Sequence, residues 1–194
     1  MSASSTSSWS DKSEQNVFKC SAKAATKHPF SILMIGNSNW STQLTEALVE
    51  YHENNHISKI QVHKAQTVKS ALSTLSNVYA DLVIILLDIS KNDCLVDVEV
   101  NLLALEPALL CGRTILVNPI NSIKRKDMGI SYENIDTLKR KYNLLIIHGN
   151  IEDYISRMFL ARRIMVYSYK INKNGLPNIL EFNSIDMEPS RLAF

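Results

Sequence analysis

The residues whose types and spacing come nearest to a reactive site are Gly36, Ser41, Thr42 and Gln43, set between the apolar run SILMI and a helical pattern. A phosphate-binding loop of the form GxxxxGK[ST] would stand here. Its second glycine lets the backbone wrap the anion, its lysine reaches the phosphate oxygens and its hydroxyl holds magnesium. Counted from Gly36, Ser41 falls where the second glycine belongs, Thr42 where the lysine belongs and Gln43 where the hydroxyl residue belongs. Only the first glycine has its chemistry, and Trp40 places an indole in a loop that would have to close tightly. The remaining route to an anion is through Asn37, Ser38, Asn39 and backbone amides in place of the lysine.

Three later junctions repeat the pattern. The run ADLVIILLDIS ends near Asp88; set against a DxxG magnesium and γ-phosphate motif, its glycine position holds Lys91. The guanine-reading motif NKxD has its counterpart in NPIN, where Asn118 is kept, Pro119 replaces the lysine and Asn121 the aspartate. The last apolar run leads into HGN, from His148 to Asn150, where an SAK-like loop would stand. Four junctions in this order look like a small GTPase. Phosphoryl transfer depends almost wholly on positioned charges, and those charges are missing, so no catalytic residue, cofactor or metal is assigned. The alternative is a divergent nucleotide-binding GTPase or ATPase.

Other chemistry finds little support. Cys20, Cys94 and Cys111 form no CxxC pair, and their odd number fits reduced thiols rather than a disulfide framework. His28, His52, His56, His63 and His148 are scattered; His52 and His56 are four apart, with no third ligand beside them. A formal charge of +2 with dispersed basic residues lacks the footprint of a nucleic-acid binder. The KRK at Lys124, Arg125 and Lys126 reads as a solvated loop. With neither a leader-like run nor an apolar stretch of ~20 residues, an intracellular protein off the membrane is expected.

The elements that must position these junctions alternate strictly. Strands are expected at 31–36, 59–64, 82–88, 114–118 and 144–148, and helices at 41–54, 67–78, 95–110, 132–142 and 151–169. Continuous runs such as LVIILL fit strands covered on both faces. The expected fold is therefore a doubly wound α/β domain: a mainly parallel sheet of five or six strands with helices on both faces, small-GTPase-like without a functional phosphate loop. Residues 1–28, rich in Ser and poor in apolar periodicity, read as a disordered tail; 29–170 form the α/β domain and 171–194 a C-terminal docking tail. Ser41 is expected to cap its helix, and Cys111-Gly112 to stop another.

Helical periodicity supplies a positive signal. Leu95, Val98, Leu102, Leu105 and Leu109 make one stripe facing the sheet, while Val96, Val100, Leu103 and Leu110 make a second on the other side. In the last helix Ile155, Met158, Phe159, Met165 and Val166 are expected to face the core, with Leu160, Ile164 and Tyr167 on another side. A peripheral helix needs one apolar face, so a spare one suggests either a folded-back tail or a permanent protein interface.

The segments SILMIGNSN, KIQVHKA, DLVIILLDIS, LLCGRTILVNP, NLLIIHGNIE and RMFLARRI, spread over residues 31–185, together resemble the centromere protein M family. That family comprises inner-kinetochore subunits with a small-GTPase fold and no nucleotide. The resemblance implies a non-catalytic scaffold of the constitutive centromere-associated network, in the nucleus at centromeres, contacting chiefly centromere protein I together with proteins H and K and other inner-kinetochore subunits. It brings no catalytic residue. The expected partner surface comprises Val96, Val100, Leu103, Leu109, Leu110 and Cys111 with the tail cluster Ile179, Leu180 and Phe182. A pseudo-GTPase adaptor of a transport complex is the other scaffold reading.

Overall fold

The computed structural model describes residues 17–20, 29–55, 59–75, 79–119 and 128–174. Five strands, β1 (Phe30–Ile35), β2 (Ile60–Ala65), β3 (Leu82–Leu86), β4 (Thr114–Asn118) and β5 (Leu145–His148), form one sheet. All its pairs are parallel, in the order β2-β1-β3-β4-β5. The helices are α1 (Ser38–Asn55), α2 (Val68–Thr74), α3 (Cys94–Leu103), α4 (Pro107–Leu110), α5 (Tyr132–Tyr142) and α6 (Tyr154–Asn174). This is the doubly wound α/β architecture the alternation predicts.

Burial along each strand follows its place in the sheet. β3 and β4 are buried at every residue, whereas the edge strand β2 is buried at none. Alternate side chains feed two cores: Ile32, Met34, Ile84 and Val117 face α1 and α6, while Leu33, Ile35, Val83 and Leu116 face α2, α3, α4 and α5. Hydrophobic burial on both faces holds the sheet between two helical layers.

The expected continuity of one helix and the expected phase of another fail, each for a visible reason. The single helix at 95–110 is two, α3 and α4, interrupted over residues 104–106. Pro107 has no amide hydrogen and holds Glu106 extended (φ −61°, ψ 141°), so the helix cannot run through it. Phe18 fills the break: its N–H donates to the Ala104 carbonyl and its own carbonyl accepts from the Glu106 N–H, both at 2.9 Å. The Phe18 side chain is buried in the core. Residues 17–20 thus correct the boundary of the expected N-terminal tail; the remainder of 1–28 lies outside the described residues.

The second failure is the phase of α6. Leu160, Ile164 and Tyr167 are fully buried; of the residues assigned to the core Met165 is buried as expected, whereas Ile155 is 72% exposed and Met158, Phe159 and Val166 are half-buried. Small buried residues on the true core side, Ala161 and Ser168, let α6 approach closely. Gly149 presses on Leu160 so tightly that a Cβ there would lie 2.5 Å from its Cγ.

Candidate functional site

In an open α/β sheet the ligand crevice lies beyond the carboxyl ends of the strands, where successive crossovers run in opposite directions. Here that point falls between β1 and β3. A cavity of about 460 Å³ opens there, lined by the β1 and β3 ends, the first turn of α1, the residues just before α2 and one side of α3. Its walls include Asn37, Trp40, Thr67, Asp88, Lys91 and Asp97. The crevice is open, and of the residues a phosphate-binding loop would need only Gly36 stands in its wall.

Gly36 makes the turn into this crevice. Its φ of +137° lies in a region that side chains avoid, and a Cβ would meet the Leu86 Cβ at 2.9 Å. The helix cap differs from expectation. Asn37 caps α1, its Oδ1 accepting from the Asn39 N–H at 2.9 Å and the Trp40 N–H at 3.4 Å. Ser41 lies inside the helix, buried, with its hydroxyl donating to the Ser38 carbonyl. Thr42 donates to the same carbonyl and accepts from Lys64 Nζ; Gln43 Nε2 reaches Asn39 Oδ1 at 3.5 Å. An anion approaching α1 would thus find two of its amides already occupied by Asn37.

The electrostatics point the same way. Among the described lining residues the only cation is Lys91, and its ammonium lies 3.3 Å from the Asp88 carboxylate. Asp97 adds a second negative charge to the wall. Such a lining repels phosphate. Cys94, also in the wall, is buried, and that burial pushes its thiol up to about 11, so the nucleophilic thiolate is scarce at neutral pH. Among the described residues no group of three or more His, Cys, Asp or Glu is placed to hold a metal ion, and no helix is long and apolar enough to cross a membrane.

At the β4 end, the Asn118 side chain is buried and its Nδ2 lies 3.4 Å from His148 Nδ1, across the β4–β5 pair. The following loop folds back on this point: Gly149 N–H donates to the Asn118 carbonyl at 3.1 Å and Ile151 N–H to the Pro119 carbonyl at 2.8 Å. Partial burial, with the Arg163 and Lys139 cations adding to it, holds His148 below the usual imidazole value. Asn118 and His148 are thus used to join two strand ends. Asn121 lies outside the described residues.

The outer face of α3 gives a different picture. Leu95, Val98, Leu102, Leu105 and Leu109 all lie on the core side, as the stripe predicts, even across the α3–α4 break. Val96, Val100 and Leu103 are 62%, 61% and 70% exposed. Leu110 is half-buried and Cys111 exposed. Leu109 must be removed from the expected partner surface, because it is fully buried on the core side of α4. Ile179, Leu180 and Phe182 lie outside the described residues.

Sequence reasoning missed two features of this region. One is Asn101, buried on α3, whose Oδ1 accepts from the Val68 N–H at 2.8 Å and ties the start of α2 to α3. A lone Asn on the apolar side of a helical pattern was its signal. The other is the acidic rim of the exposed stripe, Asp93 and Asp97, both exposed. Compared with protein-family models and with curated proteins, the chain matches none at a significant level.

Proposed function

We propose that the chain is a non-catalytic structural subunit of the inner kinetochore, a pseudo-GTPase that helps hold centromere protein I, with proteins H and K, in the constitutive centromere-associated network during chromosome segregation. The identity rests on the segment-by-segment resemblance across residues 31–185. The observation that carries a scaffold rather than an enzyme is the exposed row Val96, Val100 and Leu103 on α3. Three large apolar side chains in a row on one helix face are what a protein contact would cover. The crevice beside it supports the same reading, since its single described cation is spent on Asp88.

The working surface is then Val96, Val100 and Leu103, extended by Leu110 and Cys111. Co-purification from dividing cells tests it. The tagged chain is expected to recover proteins I, H and K and to mark centromeres, and Leu103→Arg to lose protein I while remaining folded. Recovery of vesicle or motor complexes instead would favour the transport adaptor. Magnesium-dependent micromolar GTP or ATP binding would overturn the non-catalytic reading.

A further inference from the structure

The stripe on α3 is bordered by charge of one sign. Asp93 and Asp97 stand on its crevice side, and Glu99 on the side of α5. No described residue pairs with the Asp93 or Asp97 carboxylate. Lys91 is held by Asp88, and Glu99 takes Lys141 Nζ at 2.7 Å from α5. Asp97 also lines the 460 Å³ cavity, and so does Val100. Stripe and crevice are therefore one continuous surface, apolar along the helix and negative where it opens into the cavity.

We infer that this surface docks an amphipathic basic helix of a partner, whose apolar side chains pack along Val96, Val100 and Leu103 and whose lysines or arginines reach Asp93, Asp97 and the mouth of the crevice. Exposed residues at i, i+4 and i+7 make a ridge that a helix can lie beside. The complementary charge supplies register and encounter rate. The chain's own termini fit less well. Residues 1–16 carry Asp11 and Glu14 against Lys12, and residues 175–194 carry Glu181, Asp186 and Glu188 against Arg191, so both would bring negative charge to a negative rim. The basic segments are internal, Lys23 and Lys27 before β1 and Lys124, Arg125 and Lys126 between β4 and α5, and the latter are the rival occupant that the test separates. A second copy laid face to face would do the same, because a two-fold contact sets each patch against itself. The inference rests on the scaffold reading, and it adds the chemistry of the partner.

The test uses the full chain and two labelled synthetic helices of about 18 residues. Both have the same leucine stripe, flanked by lysine in one and by glutamate in the other, and binding is followed by fluorescence anisotropy. The basic helix is expected to bind at least roughly tenfold more tightly than the acidic one, with the difference shrinking as salt screens it. Asp93→Lys with Asp97→Lys reverses the preference, and Val100→Ser with Leu103→Ser weakens both helices. Equal binding of the two helices, or binding of neither, overturns the inference. So does self-association that Leu103→Ser abolishes. So does basic-helix binding that appears only after removal of residues 1–16 or 175–194, or after neutralising Lys124, Arg125 and Lys126, since the occupant is then the chain itself. No kinetochore protein is in the assay, so failure to recover proteins I, H and K from cells leaves this result standing, and the reverse also holds.

Discussion

Helices α3 and α6 each carry two apolar stripes in sequence, yet the fold treats them oppositely. α6 lies on the sheet and alongside α1, so Leu160, Ile164 and Tyr167 are fully enclosed while Met158 and Val166, off that stripe, still pack partly against the same core. α3 touches the sheet with one side and leans on α5 through Glu99 and Lys141, which leaves Val96, Val100 and Leu103 in solvent. Most of the second stripe of α6 packs partly against the core, Ile155 near its start being 72% exposed, whereas the whole outer row of α3 is left in solvent. The number of apolar residues does not distinguish the cases; the neighbours do.

The comparison breaks most readily on α6. Leu160→Ala removes a fully buried side chain and should lower unfolding free energy by about 2–5 kcal/mol, read from the urea midpoint at constant slope. Gly149→Ala alone should also destabilise, because its Cβ would lie within 2.5 Å of Leu160. Combined with Leu160→Ala, its cost should shrink. Additive losses would mean that the two residues do not share the packing described.

On α3 the matching test is polar. Asn101→Ala leaves the buried Val68 N–H without its acceptor and should cost about 1–3 kcal/mol. Because Asn101 joins α2 to α3, hydrogen exchange should rise first at the start of α2. Uniform loss of protection would show that the side chain supports the whole core instead.

Much of the architecture was legible from the residues, and the failures share one cause. β3 and β4 announce themselves as continuous apolar runs because both faces are covered, and Gly36 is readable because the strand-to-helix turn admits no side chain there. That the position of a phosphate-loop lysine holds Thr42 is read directly from the sequence. What was not legible depends on who stands next to whom. The phase of α6 is set by α1 and Gly149, and the break before Pro107 is filled by Phe18 from a distant segment. Asn37 won the cap from Ser41 because the helix starts three residues earlier than its apolar pattern does.

A smaller effect separates the joined strand ends from the open surface. His148 has a folded-state pKa below its unfolded value, so its contribution to stability is present above about pH 6.5 and is lost as pH falls through the lower folded value. Protonation would remove the ring acceptor facing Asn118 and add a cation beside Arg163 and Lys139. The urea midpoint should therefore drop on going from neutral to mildly acidic pH. His148→Gln should flatten that part of the profile, and an unchanged profile would assign the acid sensitivity elsewhere.

The smallest expected effect on stability lies next door to one of the largest. Leu102 is fully buried and Leu103 is 70% exposed, one residue apart on α3. Leu102→Ala should cost about 2–5 kcal/mol, whereas Leu103→Ser should stay within about 0.5 kcal/mol of the parent chain. The second substitution deletes a large apolar side chain that supports no described core, so a stability loss approaching that of Leu102→Ala would mean that residue 103 is covered in the free protein. If stability is unchanged while partner recovery falls, the leucine is kept for a contact outside its own fold, and that is the property which makes α3 a surface and α6 a pillar.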